Sequence, residues 1–215
     1  MPRLLFEKRG NAVWISHLDL MRVFQRSFKR AGLPLTHTQG FNPRPSVSIA
    51  LPLSVGIESS CELLDFDLDG EPIPEAEIKR RLNEKLVEGV RVLDVYTGGQ
   101  KIKYLARLDC CLTLQYDGGV PEGAAEKITA LLSREEVTVT KKSKSGNTEQ
   151  NIIPMIRKAA VRETNQKTLT VQARICCQNP SLNPMQIAFA IEKYLPECTP
   201  SFVECSRLEI YDQKE

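Results

Sequence analysis

The chain is poor in the residue types that do chemistry by themselves. Its 215 residues include two histidines, His17 and His37, and one tryptophan. It has no C-x-x-C pair, no Cys/His set at zinc spacing and no C-x-x-x-C-x-x-C cluster, so metal and iron–sulfur ligation have no sequence support. The nucleophile elbow, the metalloprotease helix and the phosphate-binding glycine loop are absent too. No apolar run approaches the roughly 18 residues a bilayer requires. The mixed segment Met1–Arg9 does not read as a signal peptide. A cytoplasmic chain without membrane contact, cofactor or metal is therefore expected.

Seven cysteines are present, an odd number, with Cys110-Cys111 and Cys176-Cys177 as adjacent pairs. Neighbours on a strand point to opposite faces, so these pairs are expected to be free thiols. Hydrophobic content of 41% and charged content of 26% match a packed globular chain. The length suits two domains of about 100 residues each.

Charge is unevenly spread. Residues 1–50 hold eight basic residues (Arg3, Lys8, Arg9, Arg22, Arg26, Lys29, Arg30, Arg44) and two acids, a net of +6. Residues 51–98 carry five basic and eleven acidic residues, a net of −6. An anion-binding surface can thus lie behind a total of only +2.

Ser16, with Asp19 three residues on, reads as the cap of a first helix. Leu20, Val23, Phe24, Ser27, Phe28 and Ala31 recur at helical spacing as its core stripe. Gly32 and Pro34 end it. Arg22, Arg26 and Arg30 fall at i, i+4 and i+8, with Lys29 alongside, and form a basic ridge. Strands are expected at 3–8, 12–15, 35–39, from Val47 to Leu51, at 62–69 and at 90–96, with a second helix over 74–86. This order, β-α-β-β-α-β with one additional short strand, predicts a ferredoxin-like lobe over residues 1–98. Gly98 to Lys101 reads as a linker. A matching order follows: a strand from Ala106 to Tyr116, a helix over 122–133, an exposed tip from Lys141 to Asn147, a strand from Leu169 to Cys177, a helix opened by Pro184 with Asn183 as cap, and a last strand from Phe202 to Tyr211. The expected fold is α+β: two tandem ferredoxin-like lobes, 1–98 and 102–215, with antiparallel sheets.

The loop Gln39-Gly40-Phe41-Asn42-Pro43-Arg44-Pro45 cannot be helical. Its glycine permits close approach and its prolines stiffen it. Phe41 is placed to stack on a base; Gln39, Asn42 and Arg44 are placed to meet a base edge or phosphate. Arginines a helical turn apart can follow a phosphate backbone. His17, in the first turn of the basic helix, suits a base or acid role, and His37 precedes the loop. Asp65, Asp67 and Asp69 read as a solvated strand face, too acidic for nucleic acid to lie across. Lys141, Lys142 and Lys144 at the later tip offer a supplementary phosphate contact.

Trp14-Ile15-Ser16-His17-Leu18-Asp19 onward to Arg26, Arg30-Ala31-Gly32-Leu33-Pro34, Gln39 to Pro45, and Ala50-Leu51-Pro52-Leu53-Ser54-Val55-Gly56 together resemble the radical-SAM-linked protein family, bacterial domains encoded beside or fused to radical-SAM proteins. The match is specific over roughly the first 60 residues and looser beyond. Arg44 stands where that family usually has His, which argues against catalysis at this position. The resemblance implies a separately encoded radical-SAM protein as partner. With the basic helix, it predicts a non-catalytic accessory that binds tRNA or rRNA through His17, Arg22, Arg26, Arg30, His37, Gln39, Phe41, Asn42 and Arg44. Two other readings stay open: a protein-docking module without RNA contact, and a metal-independent endoribonuclease with His17 as its base or acid.

Overall fold

Alternating apolar residues build the central strands, and each of these buries one face. The computed structural model describes residues 2–143 and 146–213, with backbone only at 142 and 143. Two compact units divide it, Met1–Ile102 and Lys103–Glu215. The fold is mixed α+β, with four α-helices among the described residues and antiparallel strand pairing within each unit.

In the first unit the chain runs through β1 (Pro2–Lys8), a 3-10 turn (Gly10–Trp14), α1 (His17–Arg30), β2 (Val47–Ile49), β3 (Ile57–Phe66), α2 (Glu75–Asn83) and β4 (Val90–Thr97). The strand order is β4-β1-β3-β2. Leu4 and Phe6 on β1, and Leu64 and Phe66 on β3, are fully buried with Leu20, Phe24 and Phe28 of α1. Phe6 meets Phe24 edge to face at 4.7 Å, and Phe28 meets Phe66 at 5.1 Å. Burial of each such ring stabilises by roughly 1.5–3 kcal/mol, which ties α1 to both central strands.

The second unit comprises β5 (Leu105–Gln115), α3 (Ala124–Leu132), β6 (Thr138–Ser143), β7 (Gly146–Asn151), β8 (Ile156–Asn165), β9 (Thr168–Cys176), α4 (Met185–Tyr194) and β10 (Phe202–Asp212). Its order is β10-β5-β9-β8, and β6 pairs with β7 as a separate hairpin. Asn183 caps α4 from outside, its Oδ1 accepting from Met185 N at 3.0 Å.

Several local expectations change. Residues 10–14 form a 3-10 turn rather than a strand. Residues 35–39 make only single bridges, Leu35 to Leu68 and His37 to Pro45, because the prolines that follow permit no continuous ladder. Gly146 and Asn147 belong to β7 instead of a tip; Lys144 and the side chain of Lys142 lie outside the described residues. The acidic face dissolves as well. Asp67 and Asp69 fall beyond the end of β3. Asp65 faces Arg3 across the β1–β3 ladder and takes two bonds from its guanidinium, 2.5 and 3.0 Å.

None of the seven cysteines is in a disulfide: Cys61, Cys110, Cys176, Cys198 and Cys205 are buried, Cys111 and Cys177 half-buried. Burial pushes the Cys110 thiol far up and the Cys205 thiol up to about 12. Titration of the native protein with a thiol reagent at pH 8 should modify at most Cys111 and Cys177 quickly, all seven reacting once the chain is unfolded. Rapid native modification of Cys110 or Cys205 would contradict this packing.

Candidate nucleic-acid interface

The basic segment begins with two cations that never reach its surface. Lys8 is fully buried, and its Nζ donates to the carbonyls of Val13 at 3.2 Å and Ile15 at 3.3 Å. These bonds satisfy two carbonyls of the turn that leads into α1. Arg3 is committed to Asp65 and to the Gln100 carbonyl at 2.9 Å. Arg9 pairs with Glu7 at 2.8 Å. The eight cations counted from sequence thus reduce, at the surface, to Arg9 in its pair with Glu7, the arginines and lysine of α1, and Arg44.

At the start of α1, Ser16 Oγ accepts from Asp19 N at 3.2 Å and donates to the Asp19 carboxylate at 2.7 Å. That hydroxyl, and then Arg22 at 2.7 Å, holds the Asp19 carboxyl below its ordinary value. Arg22, Arg26 and Arg30 all lie on the exposed side of the helix, yet they differ. Arg22 bonds Asp19. Arg30 donates to the Lys85 carbonyl at 2.6 Å, anchoring α1 to the end of α2. The side chains of Arg26 and Lys29 make no hydrogen bond or ion pair among the described residues.

The loop is held at its base and open at its tip. Thr38 N donates to the Arg44 carbonyl at 2.8 Å, and Arg44 N donates to Thr38 Oγ1 at 3.0 Å. Below them Ser46 N bonds the Thr36 carbonyl, and Thr36 N and Asp67 N tie the neck to the segment after β3. Gly40 takes φ +133°, a conformation that favours glycine. Beyond this neck Phe41 is 99% exposed, and Gln39, Asn42 and Arg44 are exposed with it. His37 is exposed at the neck. α1 packs against β2, the strand that follows the loop, so helix and loop belong to one body. No hydrogen bond joins His17 to His37 among the described residues. His17 is half-buried, with an enclosed Nδ1 that has no partner among them.

Sequence reasoning missed an apolar component. Trp14 is 66% exposed and Leu18 68%, and Val55 is exposed too. The Trp14 ring lies over Gly56: a β-carbon added there would sit 3.8 Å from it. The signal was available, since Leu18 precedes Arg22 by four residues and so heads the exposed row, away from the core stripe.

Among the described residues, no helix is long and apolar enough to cross a membrane, and no group of three or more His, Cys, Asp and Glu side chains is placed to hold a metal ion.

A family model described as an uncharacterized protein conserved in bacteria (DUF2344) matches residues 2–184. No curated protein matches the chain. Among solved structures, the chain is similar to a chain of a Cbf5-Nop10-Gar1 complex, with a TM-score of 0.54, 10% identity, and coverage of 96% of this chain and 47% of that one. It is also similar to a chain of the archaeal box H/ACA sRNP Nop10-Cbf5 complex, with a TM-score of 0.48, 9% identity, and coverage of 96% and 46%. The chain spans just under half the length of these structures, and at such identities the likeness concerns the fold.

The anchoring geometry makes a stability prediction. Lys8→Met removes a buried ammonium that donates to the Val13 and Ile15 carbonyls and should cost about 2–4 kcal/mol in urea unfolding. Ser16→Ala should cost about 1 kcal/mol. A Lys8→Met protein as stable as the wild type would mean that these bonds do not hold the turn.

Proposed function

This chain belongs to the DUF2344 family, and we propose that it is a non-catalytic accessory that binds structured RNA, tRNA or rRNA, through α1 and the 38–44 loop. One observation carries the reading: a wholly exposed Phe41 on a braced loop, in the same unit as Arg26 and Arg44, whose guanidinium groups no carboxylate bonds. A ring held out in water contributes nothing to the core. It offers a stacking face to an unpaired base, an interaction that any base can make. The exposed amides of Gln39 and Asn42 flank it with donors and acceptors for a base edge.

The arginine row of α1 supplies the phosphate contacts. Arg26 is ready as it stands. The Arg22–Asp19 pair is exposed on both sides, and such pairs contribute little in water, so a phosphate can take Asp19's place. Arg30 keeps its anchor on Lys85 and has further N–H groups to offer. His17 and His37 serve as polar contacts along this surface.

We read each unit as a ferredoxin-like lobe, because each carries a split β-α-β pair in the order fourth, first, third, second strand. The family resemblance of the first 60 residues supports a radical-SAM protein as the partner. The exposed Trp14, Leu18 and Val55 favour a second reading, in which the same end of α1 docks on that protein without RNA.

Fluorescence anisotropy with labelled tRNA and rRNA hairpins tests the first reading. Phe41→Ala should weaken binding by about 5- to 150-fold, the equivalent of one stacked base at about 1–3 kcal/mol. An Arg26→Glu, Arg44→Glu double variant should lower the slope of log affinity against log salt by about 2. Binding that ignores salt, or variants equal to the wild type, would overturn it. Nuclease-resistant co-purification with a radical-SAM protein would then favour docking.

A further inference from the structure

β4 and β8 each pair with a single strand, β1 and β9 respectively. Each therefore has one side without a ladder, a row of main-chain donors and acceptors open to another chain. The edge of β4 is closed by the helix beside it. The Asn83 amide of α2 donates to the Val92 carbonyl at 2.9 Å and accepts from Val92 N at 2.8 Å, and Lys79 Nζ donates to the Leu93 carbonyl. Side chains there take the place of a neighbouring strand.

The edge of β8 has no such cover. All ten residues of Ile156–Asn165 are exposed or half-buried. Outside its ladder, the β8 main chain receives one hydrogen bond among the described residues, from Thr170 Oγ1 to the Arg162 carbonyl at 3.4 Å, and Thr170 belongs to β9. α3 packs against β8 but donates nothing to it.

A strand laid along this edge has seats for its side chains on both faces. It would lie about 4.8 Å from β8, with side chains alternating between the faces. On the α3 side, a depression of about 160 Å³ lies between Thr129, Leu132 and Ser133 and the β8 residues Ile156, Ala159 and Val161. Ile156 and Val161 are half-buried there, so apolar side chains entering from an added strand would complete their burial. On the opposite face Lys158, Ala160 and Arg162 stand in register with Arg174, Gln172 and Thr170. Ala160 carries a single methyl and leaves a hollow of about 290 Å³ between its two cationic neighbours. Arg174 is committed to Asp109 at 2.7 and 2.9 Å. The Lys158 and Arg162 side chains make no hydrogen bond or ion pair among the described residues. Lys158 feels the Asp109 carboxylate at longer range, so Arg162 is the freer of the two.

The charge selects the occupant. β8 holds Arg157, Lys158 and Arg162 against Glu163, three cations and one acid, a net of +2. A second copy of β8 would bring these cations together, and like charges facing each other destabilise a strand pair. A segment with acids on one face and apolar side chains on the other meets the cations of the open face and the depression beside α3 at once. In such strand addition, main-chain bonds give affinity and the alternating side chains give specificity.

We propose that the free edge of β8 is a docking site for a partner protein, which adds an extended segment of alternating acidic and apolar residues as a further strand. The site belongs to the second unit and does not rest on the RNA reading of α1.

Fluorescence anisotropy of the full chain with a labelled peptide, Glu-Val-Glu-Val-Glu-Val-Glu, tests the proposal. The peptide should bind saturably. A Lys158→Glu, Arg162→Glu double variant should weaken it at least about tenfold, because like charges then face each other across the new pair. Circular dichroism checks that this variant folds. A strand on an edge turns the N–H groups of alternate residues towards its neighbour. Peptides N-methylated at the odd or at the even positions should therefore differ, one losing at least about tenfold and the other staying close to the parent. No saturable binding, unchanged binding by the double variant, or two methylated peptides that behave alike would overturn the proposal. If the peptide fails while a uridine oligonucleotide binds in a way that the double variant abolishes, the edge is an RNA surface. If sedimentation velocity shows a dimer that the double variant dissolves, a second copy is the occupant. Either result overturns the partner segment and leaves the α1 reading intact.

Discussion

One buried ammonium sets the course of the chain out of its first strand. Lys8 stands at the end of β1 with no exposed surface, bonded to the carbonyls of Val13 and Ile15. The Val13 carbonyl also accepts from Gly56 N at 2.9 Å, so one oxygen joins the entry to α1 with the segment before β3. Arg9 N adds a bond to the Gly89 carbonyl. The approach is so close that a β-carbon on Gly89 would lie 2.4 Å from the Arg9 oxygen. A charge in the interior is costly unless its donors are used, and here they direct the backbone. Ser16 then caps α1 at a fixed place, and the helix presents its arginine row outward because its aromatic stripe is held on β1 and β3.

The surface that results is defined by which cations are left over. Buried or paired arginine and lysine do structural work: Arg3 on Asp65, Arg9 on Glu7, Arg30 on the Lys85 carbonyl. A residue count treats these alike with Arg26 and Arg44. The distinction matters for electrostatics, since a neutralised pair projects little field, whereas an unpaired guanidinium group projects its full charge.

The α+β class and the antiparallel alternation were legible in sequence, as was α1 with its Ser16 cap and its buried stripe of Leu20, Phe24, Ser27 and Phe28. Local rules suffice there, because helical period and capping chemistry involve residues within a turn of each other. The reading of Asp65, Asp67 and Asp69 as one acidic face did not survive, because Arg3 is 62 positions away and no local pattern announces it. Lys8 misled for another reason: its acceptors at Val13 and Ile15 are close along the chain, but they are main-chain carbonyls, which every residue has and no side-chain pattern marks. The exposure of Trp14 was hidden by the usual expectation that a lone tryptophan is core.

By itself the sequence determined the period of each helix and strand, the stiff glycine and proline loop, and the spacing of Arg22, Arg26 and Arg30, because these depend on backbone sterics and on neighbours close along the chain. Only the tertiary structure decided which charges reach solvent, since a long-range partner such as Asp65 for Arg3, or two carbonyls for Lys8, removes a cation from the surface without leaving a trace in local composition. The same packing decided that Phe41 stands free.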